Sequence, residues 1–220
     1  MTERAHHDLS DAWDALWSRL SVRRVPVEAF QELVAHYAAD QRSYHGLAHL
    51  RDCLAHLDGV RRFAVRPDEV ELALWFHDAI YDPAHGDNEQ RSAAWAAQVA
   101  ADAGLAREVV ERVSALVMAT RHDEAPSDPD ARLLCDVDLA ILGASDERFD
   151  EYERQIRAEY AWVPDQPFRE RRATILEALL RRPSIFGTPY FHDRYETAAR
   201  RNLTRSLAQL RAGRPREGEG

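Results

Sequence analysis

The chain contains no lysine: all 29 of its Lys+Arg residues are arginine. Schiff-base chemistry and a Walker-type phosphate loop are thereby excluded, because both need a lysine amine. Cysteine is scarce too, with only Cys53 and Cys135 among 220 residues. Each sits in an apolar helical run without a nearby partner, so two buried, reduced thiols are expected rather than a disulfide framework. Long apolar runs are missing, and Met1-Thr2-Glu3-Arg4 leads into histidines and acids rather than an apolar leader. This predicts no membrane partner and a cytoplasmic location. Positive charge is in deficit: 29 basic residues against 38 acidic ones give a net charge of −9, and no basic block stands out. Nucleic acid is therefore not an expected partner. A nucleotide stays open, since a few converging arginines suffice to bind one.

What remains is the material of a globular core, 45% hydrophobic and 30% charged residues in a chain of single-domain length. Sustained period-two alternation is absent, and the apolar positions recur at helical spacing. Ser10 is the expected N-cap of a helix over 11–20, with Trp13, Leu16, Trp17 and Leu20 on one face. Pro26 opens a second helix, and others are expected over 46–63, 67–80, 88–103, 106–120, 129–142, 147–160, 166–181 and 190–210. The reading is an all-α domain over 1–210 and a disordered tail over 211–220.

Three of these helices carry polar residues where apolar ones would serve packing better. The first is Trp75-Phe76-His77-Asp78-Ala79-Ile80, a His-Asp pair closing a strongly apolar helix. A buried carboxylate there needs a partner: an arginine, a helix N-terminus or a metal. The second is Leu133 to Leu142, in which Asp138 shares its face with Leu134, Ile141 and Leu142. Asp136, two residues earlier, points elsewhere and has Arg132 one turn back, so it reads as a surface or supporting group. The third is Tyr44-His45-Gly46-Leu47-Ala48-His49-Leu50, where Gly46 puts His45 at the helix entrance and His49 inside it. A lone helical histidine is more often a core residue than a ligand. Three such helices together make that explanation less comfortable.

The ordered set of His49, the doublet His77-Asp78 and Asp138 resembles the HD superfamily of metal-dependent phosphohydrolases. Tyr44 to Leu50, Trp75 to Asp82, Asn88-Glu89 with Ser92-Ala93, Thr120 with His122, and Asp136 to Gly143 are similar to one bacterial subfamily of predicted metal-dependent HD phosphohydrolases. Ile156 to Tyr160 and Glu196 to Leu203 extend the likeness over roughly residues 10–210. The resemblance implies an HD-type helical bundle with additional C-terminal helices. It makes His49, His77, Asp78 and Asp138 the ligands of one divalent metal. That mixed nitrogen and oxygen set suits manganese, magnesium, iron, cobalt or nickel. The implied reaction is attack of metal-bound hydroxide on a small phosphorylated substrate, an ester or anhydride, with nucleotides among the candidates.

Around these ligands, Glu89 is a candidate acid or base, or simply an acid at a helix N-terminus. Asp82 is either a supporting group or a turn residue. His122 is either a phosphate or second-metal contact or a surface histidine at a helix end. Arg121, Arg157 and Arg171 are the candidate phosphate clamps. Two other readings follow from the same residues: an HD-type diiron oxygenase using His45 and His122, and a non-catalytic module holding metal. Neither oligomeric state nor substrate identity follows from the sequence.

Overall fold

The structure, a computed structural model, describes residues 2–213, with side chains from Leu9 onward. It is all-helical, and no strand occurs among the described residues. The chain divides into two compact units, Met1–Asp138 and Leu139–Gly220.

The first unit holds α1 (Thr2–Arg19), α2 (Val27–Tyr37), α3 (Leu47–Val60), α4 (Pro67–Phe76), α5 (Asn88–Asp102), α6 (Arg107–Ala119) and α7 (Pro129–Asp138). Its axis is α4, in which every residue from Glu69 to Phe76 is buried. A helix buried on all sides must be wrapped on all sides, and α1, α3, α5, α6 and α7 all touch it. Trp13 of α1 meets Trp75 edge-on at 5.1 Å between ring centroids and Trp17 at 5.3 Å, and Phe76 packs on Trp95 of α5 at 5.5 Å. Edge-to-face pairs at such distances add to the area they bury. The acids that α4 buries are paired. Arg112 grips Glu69 with two bonds of 2.6 and 2.7 Å, and Glu71 is held by Arg19 and Arg61. Asp130 of α7 accepts the Val65 and Arg66 amides at 2.7 and 2.9 Å, fixing the entry to α4.

Three helix limits differ from expectation. Ser10 is not an N-cap but lies inside α1, which begins at Thr2. No Gly or Pro interrupts residues 2–9, and serine costs an interior helix position little. The helix expected to carry His77 and Asp78 ends at Phe76 rather than at Ile80, and groups from other segments bond the Asp78 and Ala79 carbonyls and the Ile80 amide. Likewise α7 stops at Asp138, and Leu139–Gly143 tightens into a 3-10 turn.

The second unit begins with that turn and continues through α8 (Asp146–Glu159), α9 (Asp165–Arg181) and α10 (Pro189–Ala212). Ser145 caps α8 by accepting the Arg148 amide. A Cβ on Gly143 would lie 2.6 Å from the Tyr195 Cβ, so only glycine lets the turn approach α10. Asn202 then donates to the Leu142 and Ala144 carbonyls at 2.9 and 3.0 Å. Of the tail expected over 211–220, Arg211 and Ala212 instead belong to α10, and positions 214–220 lie outside the described residues.

Candidate metal centre

His49, Cys53, His77 and Asp138 each offer one ligand atom, and these atoms all lie within 4.8 Å of one another in the first unit. The group can hold a metal ion. His49 and Cys53 are one turn apart on α3, His77 follows the end of α4, and Asp138 closes α7.

The distances between donor atoms have the scale of a coordination shell. His49 Nε2 is 3.1 Å from His77 Nε2 and 3.1 Å from Asp138 Oδ1. His77 Nε2 is 3.6 Å from the same Asp138 oxygen. Asp78 adjoins the group, its Oδ2 lying 3.1 Å from His77 Nε2 and 3.5 Å from His49 Nε2. Donors bound about 2.1 Å from one ion are separated by about 3.0 Å at right angles and about 3.4 Å at tetrahedral angles. Five measured edges fall in or close to that range.

Orientation supports the same use. His77 donates its Nδ1–H to the Leu74 carbonyl at 2.8 Å, which leaves the Nε2 lone pair aimed at the cluster. Metal-binding histidines are held in this way. Asp138 is shared, its second oxygen accepting from His122 Nε2 at 2.8 Å. His122 takes a left-handed backbone (φ 56°) just past the end of α6, which turns its ring back toward α7.

Cys53 fits the shell less well than Asp78. Its Sγ is 3.8 Å from His49 Nδ1 and 3.7 Å from Nε2. Near-equal distances put the sulfur beside the ring rather than along the Nε2 lone pair. In the metal-free group, burial, with Asp138, Asp78 and Asp52 nearby, pushes the thiol well above its ordinary pKa.

The electrostatics ask for a cation. Burial favours the neutral acid at Asp78, but His77, His45 and His49 outweigh it and hold the carboxyl far below the ordinary range. Asp138 is likewise buried, and His122, His49 and His77 hold it well below. The same pairs act in reverse on the histidines. Burial would lower His77, yet Asp78 and Asp138 raise it well above its usual value. His122, opposed by burial, is pushed up to about 10 chiefly by Asp138 and Cys135. With the imidazoles neutral, the two largely covered carboxylates carry a formal charge that one divalent ion would neutralise, taking the place of the protons that the raised histidines otherwise hold.

The remaining sequence candidates lie as follows. Asp82 holds its own loop: it accepts the Ala84 amide at 3.0 Å and His85 Nδ1 at 2.8 Å, and its amide donates to Asn88. Glu89 is the second residue of α5, half-buried, and adds no hydrogen bond to the cluster. Arg121 pairs with Asp123 at 3.2 Å. Arg157 and Arg171 belong to the second unit. Arg157 donates to the Tyr160 and Val163 carbonyls and covers the Phe168 ring, and Arg171 is exposed on α9. One expectation is corrected. Asp136 is not a surface group paired with Arg132; it is 2% exposed, and Arg132 instead donates to the Pro126 carbonyl at 2.8 Å. A ten-residue α7 lying against α3, α4 and α6 leaves few outward positions, so the helix-face argument underrates its burial.

Sequence reasoning treats Cys53 only as a core thiol, although its spacing of four from His49 is visible. It has no signal for Arg42, which the structure places beside the doublet. Comparison with protein-family models, with curated proteins and with solved structures gives no match.

Proposed function

We propose that the protein is a metal-dependent phosphohydrolase of the HD superfamily, with His49, His77, Asp78 and Asp138 as ligands of one divalent ion. Its substrate is a small phosphate ester or anhydride. The observation that carries this reading is the donor spacing: two Nε2 atoms 3.1 Å apart, each lying 3.1–3.6 Å from a carboxylate oxygen of Asp78 and from one of Asp138. The order of those residues along the chain adds the family resemblance.

A bound divalent ion supplies Lewis acidity, acidifying a water and polarising a phosphoryl oxygen. The chain's own residues set the stage for that chemistry. The Leu74 carbonyl fixes the ring of His77, and Asp138 joins the metal group to His122. His122 donates to the outer oxygen of Asp138 at 2.8 Å, a bond that raises its pKa above the ordinary imidazole value. Asp78 and Asp138 are 20% and 16% exposed at their side chains, so the group is reached from solvent on their side while both ligand imidazoles stay buried. His45, which an oxygenase would recruit, lies flat on Tyr81 at 4.3 Å between centroids.

The test is purification without chelator, metal analysis, and a screen of nucleotides and phosphomonoesters with added manganese, cobalt or nickel. Release of orthophosphate or a nucleotide product that depends on the ion and disappears in Asp78→Ala is the expected result. Bound metal with no phosphate chemistry overturns the reading. Iron-dependent oxygen uptake would then identify an oxygenase, and no turnover at all a binding module.

A further inference from the structure

We infer that Arg42 is the positioning residue of the metal group, acting through the backbone rather than on substrate. This rests on the four-ligand reading above. The side chain is almost fully covered, and its guanidinium donates to three carbonyls on two separate segments. One terminal nitrogen bonds the His45 carbonyl at 3.2 Å and the Asp78 carbonyl at 2.6 Å. The other bonds the Ala79 carbonyl at 2.8 Å. The first segment leads into α3 and delivers His49, and the second follows α4 and delivers His77 and Asp78.

The setting shows a built arrangement. Beyond Phe76, helical bonding ceases and the carbonyls of residues 78 and 79 have no following turn to bond. Arg42 takes both, in the region where a helix end favours a cation. Tyr37 completes the grip: its hydroxyl accepts the Asp78 amide at 3.2 Å and donates to the Trp75 carbonyl at 3.3 Å. His36 Nδ1 lies 3.1 Å from the Ala79 carbonyl as a further donor. Flanking rings from Tyr37 and Tyr81 lie 5.1 and 5.6 Å from the guanidinium carbon. A planar fork of five N–H groups can span carbonyls on two segments, whereas an ammonium is a single point on a flexible stem. The backbone of Asp78 is thus held on both its amide and its carbonyl, which leaves its carboxylate little freedom except toward the histidines.

The experiment measures manganese affinity by calorimetric titration and the visible spectrum of the cobalt-loaded protein. Wild type, Arg42→Gln, Arg42→Lys and a control, Arg112→Gln, are compared below their unfolding temperatures. Arg112 also makes a double ionic contact in the first unit, but with Glu69 and not with the ligand turns. Arg42→Gln should weaken manganese binding about 10–100-fold, the range for partners that orient ligands, and alter the cobalt spectrum. Arg42→Lys should weaken it less, and Arg112→Gln should lose stability without losing affinity. Should Arg42→Gln fail to fold, Arg42→Lys carries the comparison. Wild-type affinity with an unchanged cobalt spectrum in the folded Arg42 variants overturns the assignment. Wild-type protein that binds neither ion instead defeats the four-ligand reading, and this inference with it.

Discussion

A carboxylate removed from water needs positive charge, and Asp78 and Asp138 find it in the same imidazoles. Asp78 faces His77 and His49; Asp138 faces those two and His122. The proposal of Asp78 rather than Cys53 as the fourth donor rests on direction, because Cys53 lies beside the His49 ring whereas an Asp78 oxygen lies 3.1 and 3.5 Å from the two Nε2 atoms. Asp78→Asn and Asp138→Asn should each lower manganese affinity by more than about 100-fold, beyond the loss expected from an orienting partner. Cys53→Ser and Asp136→Asn should retain wild-type affinity. Isothermal titration of the purified variants checks all of them, and a metal-free Cys53→Ser would move the fourth ligand to sulfur. Helix-face reasoning singles out Asp138, because its neighbours Leu134, Ile141 and Leu142 mark an inward side. The same reasoning misjudges Asp136, since Arg132 is near in sequence but bonds the Pro126 carbonyl instead.

Among the elements, α4 and α10 show how a buried polar group becomes structural. Glu69 and Glu71 are buried on α4 but not left unpaired, because arginines from α1, α6 and the turn after α3 reach them. On α10, Glu196 accepts the amides of Ile185 at 3.0 Å and Phe186 at 3.1 Å and is paired with Arg200 at 2.7 Å. Burial would raise its pKa, but the two amides and Arg200 prevail and lower it. A carboxylate with a depressed folded-state pKa contributes stability above its unfolded value, near 4.3, and loses it as pH falls through the folded one. Glu196→Gln should therefore be less stable than wild type at pH 7, by about 1–3 kcal/mol for a buried charged hydrogen-bond acceptor. That difference should shrink between pH 5 and pH 3. Urea midpoints across this range test it, and a difference that stays constant with pH would show that ionised Glu196 is not the source.

For the molecule as a whole, the donors of the metal group lie in the unit that Asp138 closes, gathered there from α3, the turn after α4 and the end of α7. Binding only to the folded form, an ion at 100 times its Kd should add about 2.7 kcal/mol. At about 2–4 °C per kcal/mol for a chain of this size, manganese should raise the unfolding temperature by about 5–10 °C, reversibly with chelator. Asp138→Asn should show no such rise. Helical class, most helix limits to within a few residues, and His49, His77, Asp78 and Asp138 as candidates were all legible in the sequence. Apolar periodicity and residue type are local properties, and a polar residue on an apolar face stands out without coordinates. Only the tertiary structure decided which polar residues meet, because meeting depends on how far each helix runs and where it turns. The stop at Phe76 turns Asp78 toward the histidines, the left-handed His122 comes back to Asp138, and Arg42 links segments more than thirty residues apart. Such bonds between distant segments leave no periodic trace in the chain, which is why the sequence gives no sign that Arg42 bonds the turn after Phe76.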